Sequence, residues 1–297
     1  MHAMCQNFVP GKSTTNADRV KLWWCLWPNS TIWRILRFMP FVDKHAAGAF
    51  CWIELSTTDQ SAAKSFYTSL FGWTFTDSPM GPNDFYTMFD LEGHNSAAAY
   101  TQREDETKMG VPPHWNLYIC VESADATVKR AGELGGQALA GPFDVSTHGR
   151  MAVIRDPSGA VFCIWEPKDH AGLGVEGQNA TFCWADLSTP DQQAAMKFYS
   201  ELFGWTFPPG DSDYLHIKNG EAFIGGIPPA HHRNPHAPPH WLIYLQVDNC
   251  NASTTKAKEL GANIFMGPMN MENVGVITVL ADPQGAAFSL FQPGRRA

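Results

Sequence analysis

The segment Phe66-Tyr67-Thr68-Ser69-Leu70-Phe71-Gly72-Trp73-Thr74-Phe75 returns almost unchanged, 132 positions later, as Phe198-Tyr199-Ser200-Glu201-Leu202-Phe203-Gly204-Trp205-Thr206-Phe207. A chain written twice must fold as two copies of one unit, so the repeat limits the architecture more than any single motif does. Cys51-Trp52 and Cys183-Trp184 keep the same spacing. Pro112-Pro113-His114-Trp115 and Pro238-Pro239-His240-Trp241 lie 126 apart, as do Asp156-Pro157 and Asp282-Pro283, so the second copy lacks six residues in its middle. The division that follows is an extension over 1–46, a first domain over 47–168, a glycine-rich connection over 169–178 and a second domain over 179–297.

A net charge of −8 and the lack of a basic stripe in either copy exclude a nucleic-acid partner. Seven cysteines, an odd number without a CxxC pair, read as reduced thiols in a cytoplasmic protein. The extension carries Trp23, Trp24, Trp27 and Trp33, but Pro28, Asn29, Arg34 and Arg37 break the apolar run well short of the ~20 residues a membrane span needs. Translation is expected to start at Met39, leaving 1–38 outside the native chain; the rival reading is an amphipathic surface anchor.

Inside one copy, 50–56 alternates as a strand and Asp59 stands ready to cap a helix. Ala62, Ala63, Phe66, Tyr67, Leu70 and Phe71 then share one helical face, and Gly72 stops it. The second half repeats the plan: a strand over 115–121, Ser123 as cap, and a helix through Ala124, Val128, Ala131 and Leu134 to Gly135-Gly136. Strands are predicted over 85–91, 97–101, 151–155 and 160–166, the last two joined by the tight turn Asp156-Pro157-Ser158-Gly159. The order is βαβββ twice per copy, an α+β fold class.

These residues resemble the vicinal oxygen chelate superfamily, which includes glyoxalase I, extradiol dioxygenases, and bleomycin and fosfomycin resistance proteins. The resemblance rests on Thr57-Thr58-Asp59, Phe66-Tyr67, Leu70-Phe71-Gly72, Gly135-Gly136, Asp156-Pro157-x-Gly159 and Trp165-Glu166-Pro167, and it covers both copies. It implies tandem domains, each built of two βαβββ modules around a half-open β-barrel cleft. It also implies three metal-ligand positions per cleft, which fall on Trp52, Asn116 and Cys163 in the first copy and on Trp184, Leu242 and Ser289 in the second. None is a histidine or carboxylate, so no metal and no other cofactor is expected.

With those positions taken as inward, strand alternation turns Phe50, Trp52, Glu54 and Ser56 into the first cleft, joined by His114, Asn116, Tyr118, Cys163 and Trp165. The second cleft receives Trp184, Asp186, His240, Leu242, Tyr244, Ser289 and Phe291. A carboxylate (Glu54, Asp186), a histidine (His114, His240) and a tyrosine (Tyr118, Tyr244) recur in both and are the catalytic candidates, as base, proton shuttle and hydrogen-bond donor. The other reading makes each carboxylate–tyrosine pair a satisfied internal hydrogen bond. Trp52, Asn116, Cys163 and Trp165 in the first cleft and Trp184, Leu242, Ser289 and Phe291 in the second are the ligand-binding candidates. His231, His232, His236 and His240 form a cluster absent from the first copy and are read as an exposed loop with at most adventitious metal binding.

The expected function is that of a glyoxalase-like or bleomycin-resistance-like protein, metal-independent, binding a small planar or aromatic carbonyl ligand in one cleft per domain. The alternative is a glyoxalase-like lyase or isomerase acting on reactive aldehydes, either metal-free or through off-pattern ligands. A third reading gives the duplicated scaffold a protein-interaction role. The joined domains either stand in for a family dimer or form a homodimer in turn.

Overall fold

The computed structural model describes residues 41–294 apart from 83, 209–212, 230, 232, 235 and 273. The expectation about 1–38 and a start at Met39 lies outside the described residues, as does His232 of the histidine cluster.

The first domain runs β1 (Phe50–Thr57), α1 (Gln60–Phe71), β2 (Thr74–Gly81), β3 (Asp84–Leu91), β4 (His94–Thr101), a short α2 (Glu104–Lys108), β5 (His114–Cys120), α3 (Ala124–Glu133), β6 (Gln137–Val145), β7 (Gly149–Arg155) and β8 (Val161–Pro167). Its strands form one mixed, open sheet in the order β2-β3-β4-β1-β5-β8-β7-β6. The second domain runs β9 (Phe182–Ser188), α4 (Gln192–Phe203), β10 (Leu215–Asn219), β11 (Ala222–Ile227), β12 (His240–Gln246), α5 (Cys250–Glu259), β13 (Asn263–Met271), β14 (Gly275–Ala281) and β15 (Ala287–Pro293), with the sheet order β10-β11-β9-β12-β15-β14-β13. In each sheet the two modules meet at a central antiparallel pair, β1 with β5 and β9 with β12. Among the described residues no helix is long and apolar enough to cross a membrane.

The caps form as the residue types require. The Asp59 carboxylate accepts from the Ala62 amide at 2.9 Å, and Asp191 does the same for Ala194 at 3.0 Å. Gly72 and Gly204 end their helices at φ +74° and +73°, where a side chain would be strained. Two strands escaped the sequence pattern, β2 and β6. Both are largely exposed along their length and lie at the sheet edges, so neither shows the apolar alternation of a half-buried strand. The third module departs from βαβββ: among the described residues only β10 and β11 follow α4, with a single bridge, Thr206 to Lys218, where β2 has its counterpart.

The repeated motifs build the contact between the domains, each reaching into the other copy. The Tyr67 hydroxyl of α1 donates to Asp282 Oδ2 at 2.9 Å, and the Tyr199 hydroxyl of α4 donates to Asp156 Oδ2 at 3.0 Å. The other oxygen of each aspartate closes its own turn, accepting from the amides of Gly159 and Ala160 or of Gly285 and Ala286. Trp73 Nε1 donates to the Ala180 carbonyl and Trp205 Nε1 to that of Gly48, both at 2.8 Å. Tyr67, Tyr199 and Trp205 are almost wholly buried, each worth roughly 2–3 kcal/mol in apolar burial alone.

One inward assignment is corrected. Phe50 belongs to this contact, with its ring centroid 5.5 Å from those of Trp205 and Trp241. A register shift between Phe50 and Trp52 breaks the alternation that placed both on the cleft face.

Candidate functional site

Glu54 and Asp186 stand at equivalent places on the central strands, opposite Asn116 and Leu242. In the first cleft Glu54 Oε2 accepts from the Tyr86 hydroxyl at 2.8 Å and Oε1 from the Tyr118 hydroxyl at 3.1 Å. Trp52 Nε1 donates to Tyr86 at 3.2 Å, completing a tryptophan–tyrosine–carboxylate–tyrosine chain. The second cleft repeats it. Asp186 Oδ1 accepts from the Tyr214 hydroxyl at 2.5 Å and Oδ2 from the Tyr244 hydroxyl at 2.7 Å, while Trp184 Nε1 donates to Tyr214 at 2.9 Å and to Asp186 at 3.1 Å.

Strand alternation had paired each carboxylate with one tyrosine; Tyr86 and Tyr214 were missed. They sit on or beside β3 and β10 and reach the carboxylate only through the parallel pairing of β4 with β1 and of β11 with β9. Their signal was present at an intermediate spacing of 128 positions, which the flanking spacings of 132 and 126 concealed. Gly226 makes room for Tyr214, because a Cβ there would lie 2.0 Å from its hydroxyl.

Burial dominates the electrostatics of both carboxyls. Desolvation raises Glu54 to about 7 against the pull of the Tyr86 and Tyr118 hydrogen bonds, and it raises Asp186 against those of Tyr214, Tyr244 and Trp184. The tyrosine hydroxyls are raised as well, by burial first and then by the neighbouring carboxylate, and stay protonated donors.

The other candidates are placed as follows. Asn116 and Ser56 lie beside the Tyr100 hydroxyl, which also approaches Glu106 at 3.3 Å. Cys163 is buried next to Tyr118, and burial pushes its thiol well up. His114 and His240 are not brought to the carboxylates: each places Nδ1 within 2.9 and 2.8 Å of the carbonyls of Pro112 and Pro238 at its own strand entry. Ser289 neighbours Tyr244 across the β12–β15 pair, with Phe291 two residues further along β15.

The connection over 169–178 also enters the first cleft. His170 places its ring edge-on to Trp52 at 4.8 Å and accepts through its carbonyl from Trp165 Nε1 at 2.9 Å. The segment is tied down by Leu173 N to the Cys51 carbonyl at 2.7 Å and by His45 Nε2 to the Leu173 carbonyl at 3.0 Å. Gly172 is needed there, since a Cβ would lie 2.2 Å from the Cys51 carbonyl.

A divalent ion does not fit the family's positions in either cleft. Trp52 and Trp184 have only indole N–H donors, already directed at tyrosines, and Leu242 has no donor atom. Among the described residues no group of three or more histidines, cysteines, aspartates or glutamates converges on one point.

Comparison with known proteins matches residues 49–164 to the glyoxalase/bleomycin resistance protein/dioxygenase superfamily and residues 184–291 to a glyoxalase-like domain. The chain is 37% identical over 262 residues, 86% of its length and 98% of the relative's, to CFP32 of Mycobacterium tuberculosis, whose name assigns it provisionally to the glyoxylases. It is 32% identical over 265 residues, 84% of its length and 95% of the relative's, to the anthracycline biosynthesis protein DnrV of Streptomyces peucetius. Among solved structures, the Mn(II)-bound glyoxalase of Novosphingobium aromaticivorans superposes with a TM-score of 0.59 at 16% identity, covering 83% of this chain and 82% of that one. The 2,3-dioxygenase LapB of Pseudomonas sp. KL28 gives 0.57 at 14%, covering 84% and 95%.

Proposed function

Because this chain belongs to the glyoxalase/bleomycin resistance protein/dioxygenase superfamily, with one such domain in each half, we propose that it binds a small planar or aromatic carbonyl compound without a metal. The observation that carries this reading is the duplicated constellation of Trp52, Glu54, Tyr86 and Tyr118 with Trp184, Asp186, Tyr214 and Tyr244. In each cleft an indole supplies a flat apolar surface and a carboxyl held between phenols supplies a hydrogen-bonding edge. The resemblance puts family ligand positions on Trp52 and Trp184, whose indoles offer no metal-binding atom, so recognition would rest on stacking and hydrogen bonds. CFP32 and DnrV support a small-molecule role, since their names point to glyoxylase and anthracycline chemistry.

Calorimetric titration with aromatic aldehydes and ketones in the presence of a chelator tests it. Binding that survives chelation and disappears in the Trp52→Ala, Trp184→Ala double variant supports the proposal. Binding that requires an added divalent ion contradicts it.

The Glu54 carboxyl favours a second reading, a glyoxalase-like lyase or isomerase for reactive aldehydes. With its pKa raised to about 7, Glu54 can take up or release a proton near neutral pH while Tyr118 or Tyr86 donates to a substrate carbonyl. His114 and His240 lack contact with either carboxyl and would serve only at the cleft edge. Turnover of a methylglyoxal–thiol adduct under chelation, lost in Glu54→Gln, would support this reading; unchanged turnover in that variant would sink it.

A further inference from the structure

The two clefts share a constellation, but the wall beside it has changed its charge. The row of residues that crosses the first constellation runs from Met88 on β3 through Ala98 on β4 and Glu54 on β1 to Asn116 on β5. The same row in the second domain runs from His216 on β10 through Gly226 on β11 and Asp186 on β9 to Leu242 on β12. Two residues further along the outer strand, Asp90 opposite Asn95 is matched by Lys218 opposite Phe223. Met88 and Asp90 thus give way to His216 and Lys218, at the spacing of 128 that also relates Tyr86 to Tyr214.

Tyr214, just ahead of β10, and His216 and Lys218 within it alternate with Leu215 and Ile217. All three therefore stand on the face that carries Asp186, while Ile217 is buried on the other. The His216 ring centroid is 5.0 Å from that of Tyr214, 6.3 Å from that of Trp184 and 5.5 Å from that of Phe223. Lys218 Nζ lies 5.3 Å from the centre of the same Phe223 ring. The imidazole and the ammonium stand against one phenyl ring, next to the half-buried Trp184 indole.

Neither side chain is committed to the fold. Among the described residues no hydrogen bond is made to the His216 ring, whose surroundings are the rings of Tyr214, Trp184 and Phe223. Asp186 does not need it as a donor, since Oδ1 already accepts from Tyr214 and Trp184 and Oδ2 from Tyr244. Burial raises the Asp186 carboxyl, and after these three donors the charge of His216 pulls it back, so the imidazole lies within electrostatic reach of the constellation. Lys218 pairs with Glu221 at 3.2 Å, but the Glu221 side chain is fully exposed, and such a contact is worth little and exchanges readily for another anion. In the first domain the half-buried Asp90 carboxyl holds the place of Lys218, and the connection reaches the same wall, Gly174 N donating to the Asn95 carbonyl at 2.8 Å.

Resting on the proposal that the clefts take small aromatic carbonyl compounds, we infer that the second cleft selects an acidic one, an aryl 2-oxo acid, which the first cleft rejects. The aromatic ring lies on Trp184, and His216 and Lys218 hold the carboxylate in charge-assisted hydrogen bonds. The 6.3 Å between the Trp184 and His216 centroids suits a carboxylate one carbon removed from the ring. Discrimination also needs a repulsive element, and Asp90 supplies it in the first domain.

Calorimetry on the full chain with benzoylformate, and with its uncharged methyl ester as comparator, tests this. The expected result is one equivalent of benzoylformate per chain, bound about tenfold or more tightly than the ester, as hydrogen bonds to a charged group require. The His216→Met, Lys218→Asp double variant, which copies the wall of the first domain, should abolish that preference. His216→Gln and Lys218→Gln are milder changes at half-buried positions, with the fold checked by circular dichroism. Each should weaken benzoylformate by roughly threefold to tenfold and leave the ester as it was. Asp90→Asn, on the other wall, should leave benzoylformate unchanged. Equal affinity for acid and ester, two equivalents of benzoylformate per chain, or a preference that persists in the double variant overturns the inference. So does weakening by Asp90→Asn and not by the glutamine variants, which would put the acid in the first cleft. Binding of the ester but not the acid sinks the inference and spares the broader proposal, whereas binding of neither sinks both.

Discussion

Replacing Glu54 with glutamine removes a charge that the fold holds at a cost, and the consequence can be worked out from its surroundings. Glu54 is 9% exposed and its pKa is raised from 4.5 to about 7 by desolvation. The folded chain therefore holds a proton between those values that the unfolded chain has lost. The stabilisation from that proton is fully present below 4.5 and is lost as the pH rises through 7. At about 1.4 kcal/mol per unit, wild type should lose roughly 2–3 kcal/mol between pH 5 and pH 8 that Glu54→Gln does not lose. Glutamine keeps an acceptor for a tyrosine hydroxyl, so the two proteins should lie closest at pH 5 and diverge above it. Urea unfolding followed by tryptophan fluorescence at pH 5, 6, 7 and 8 measures the gap directly, and taking the difference between the two proteins cancels every other titrating group. A gap that stays constant to within about 0.5 kcal/mol across that range would refute the desolvation argument.

The domain contact and the second constellation give further tests. Tyr67→Phe and Tyr199→Phe each delete a buried hydrogen bond to a carboxylate of the other domain and orphan a tryptophan N–H, so each should cost about 1–3 kcal/mol in urea unfolding; a loss below about 0.5 kcal/mol would show that these bonds do not hold the domains together. Gly226→Ala puts a methyl group onto the Tyr214 hydroxyl and should break the chain from Trp184 to Asp186, lowering second-cleft affinity by about tenfold while sparing Trp52. Unchanged binding in that variant would show that Tyr214 has no part in recognition. His170→Ala should expose Trp52 and increase its quenching by acrylamide; quenching equal to wild type would mean that the connection does not cover the first cleft.

What the sequence made legible follows from how local each signal is. The caps at Asp59 and Ser123, the glycine stops and the turn at Asp156 are set within four residues, and each forms as read. The pairing of Glu54 with Tyr118 needs only alternation on two adjacent strands. Tyr86 needs two further strand pairings, and the four-residue deletion ahead of Tyr214 hid the match between them. Phe50 was turned by a register shift that alternation cannot foresee. The repeated Phe-Tyr helix reads from the sequence as the core of its own copy, yet Tyr67 and Tyr199 hydrogen-bond to the other copy's turn, because two identical units can exchange equivalent contacts without any change in sequence pattern.

The proposed function requires that the two clefts recognise their ligand through tryptophan, tyrosine and carboxyl groups without a metal. Elemental analysis of the untagged protein as isolated, loop histidines included, tests it most directly. Manganese, iron, nickel, copper and zinc should all lie far below one equivalent per chain, with ligand binding intact. A divalent metal retained at one or two equivalents through dialysis, and lost together with binding on chelation, would contradict it.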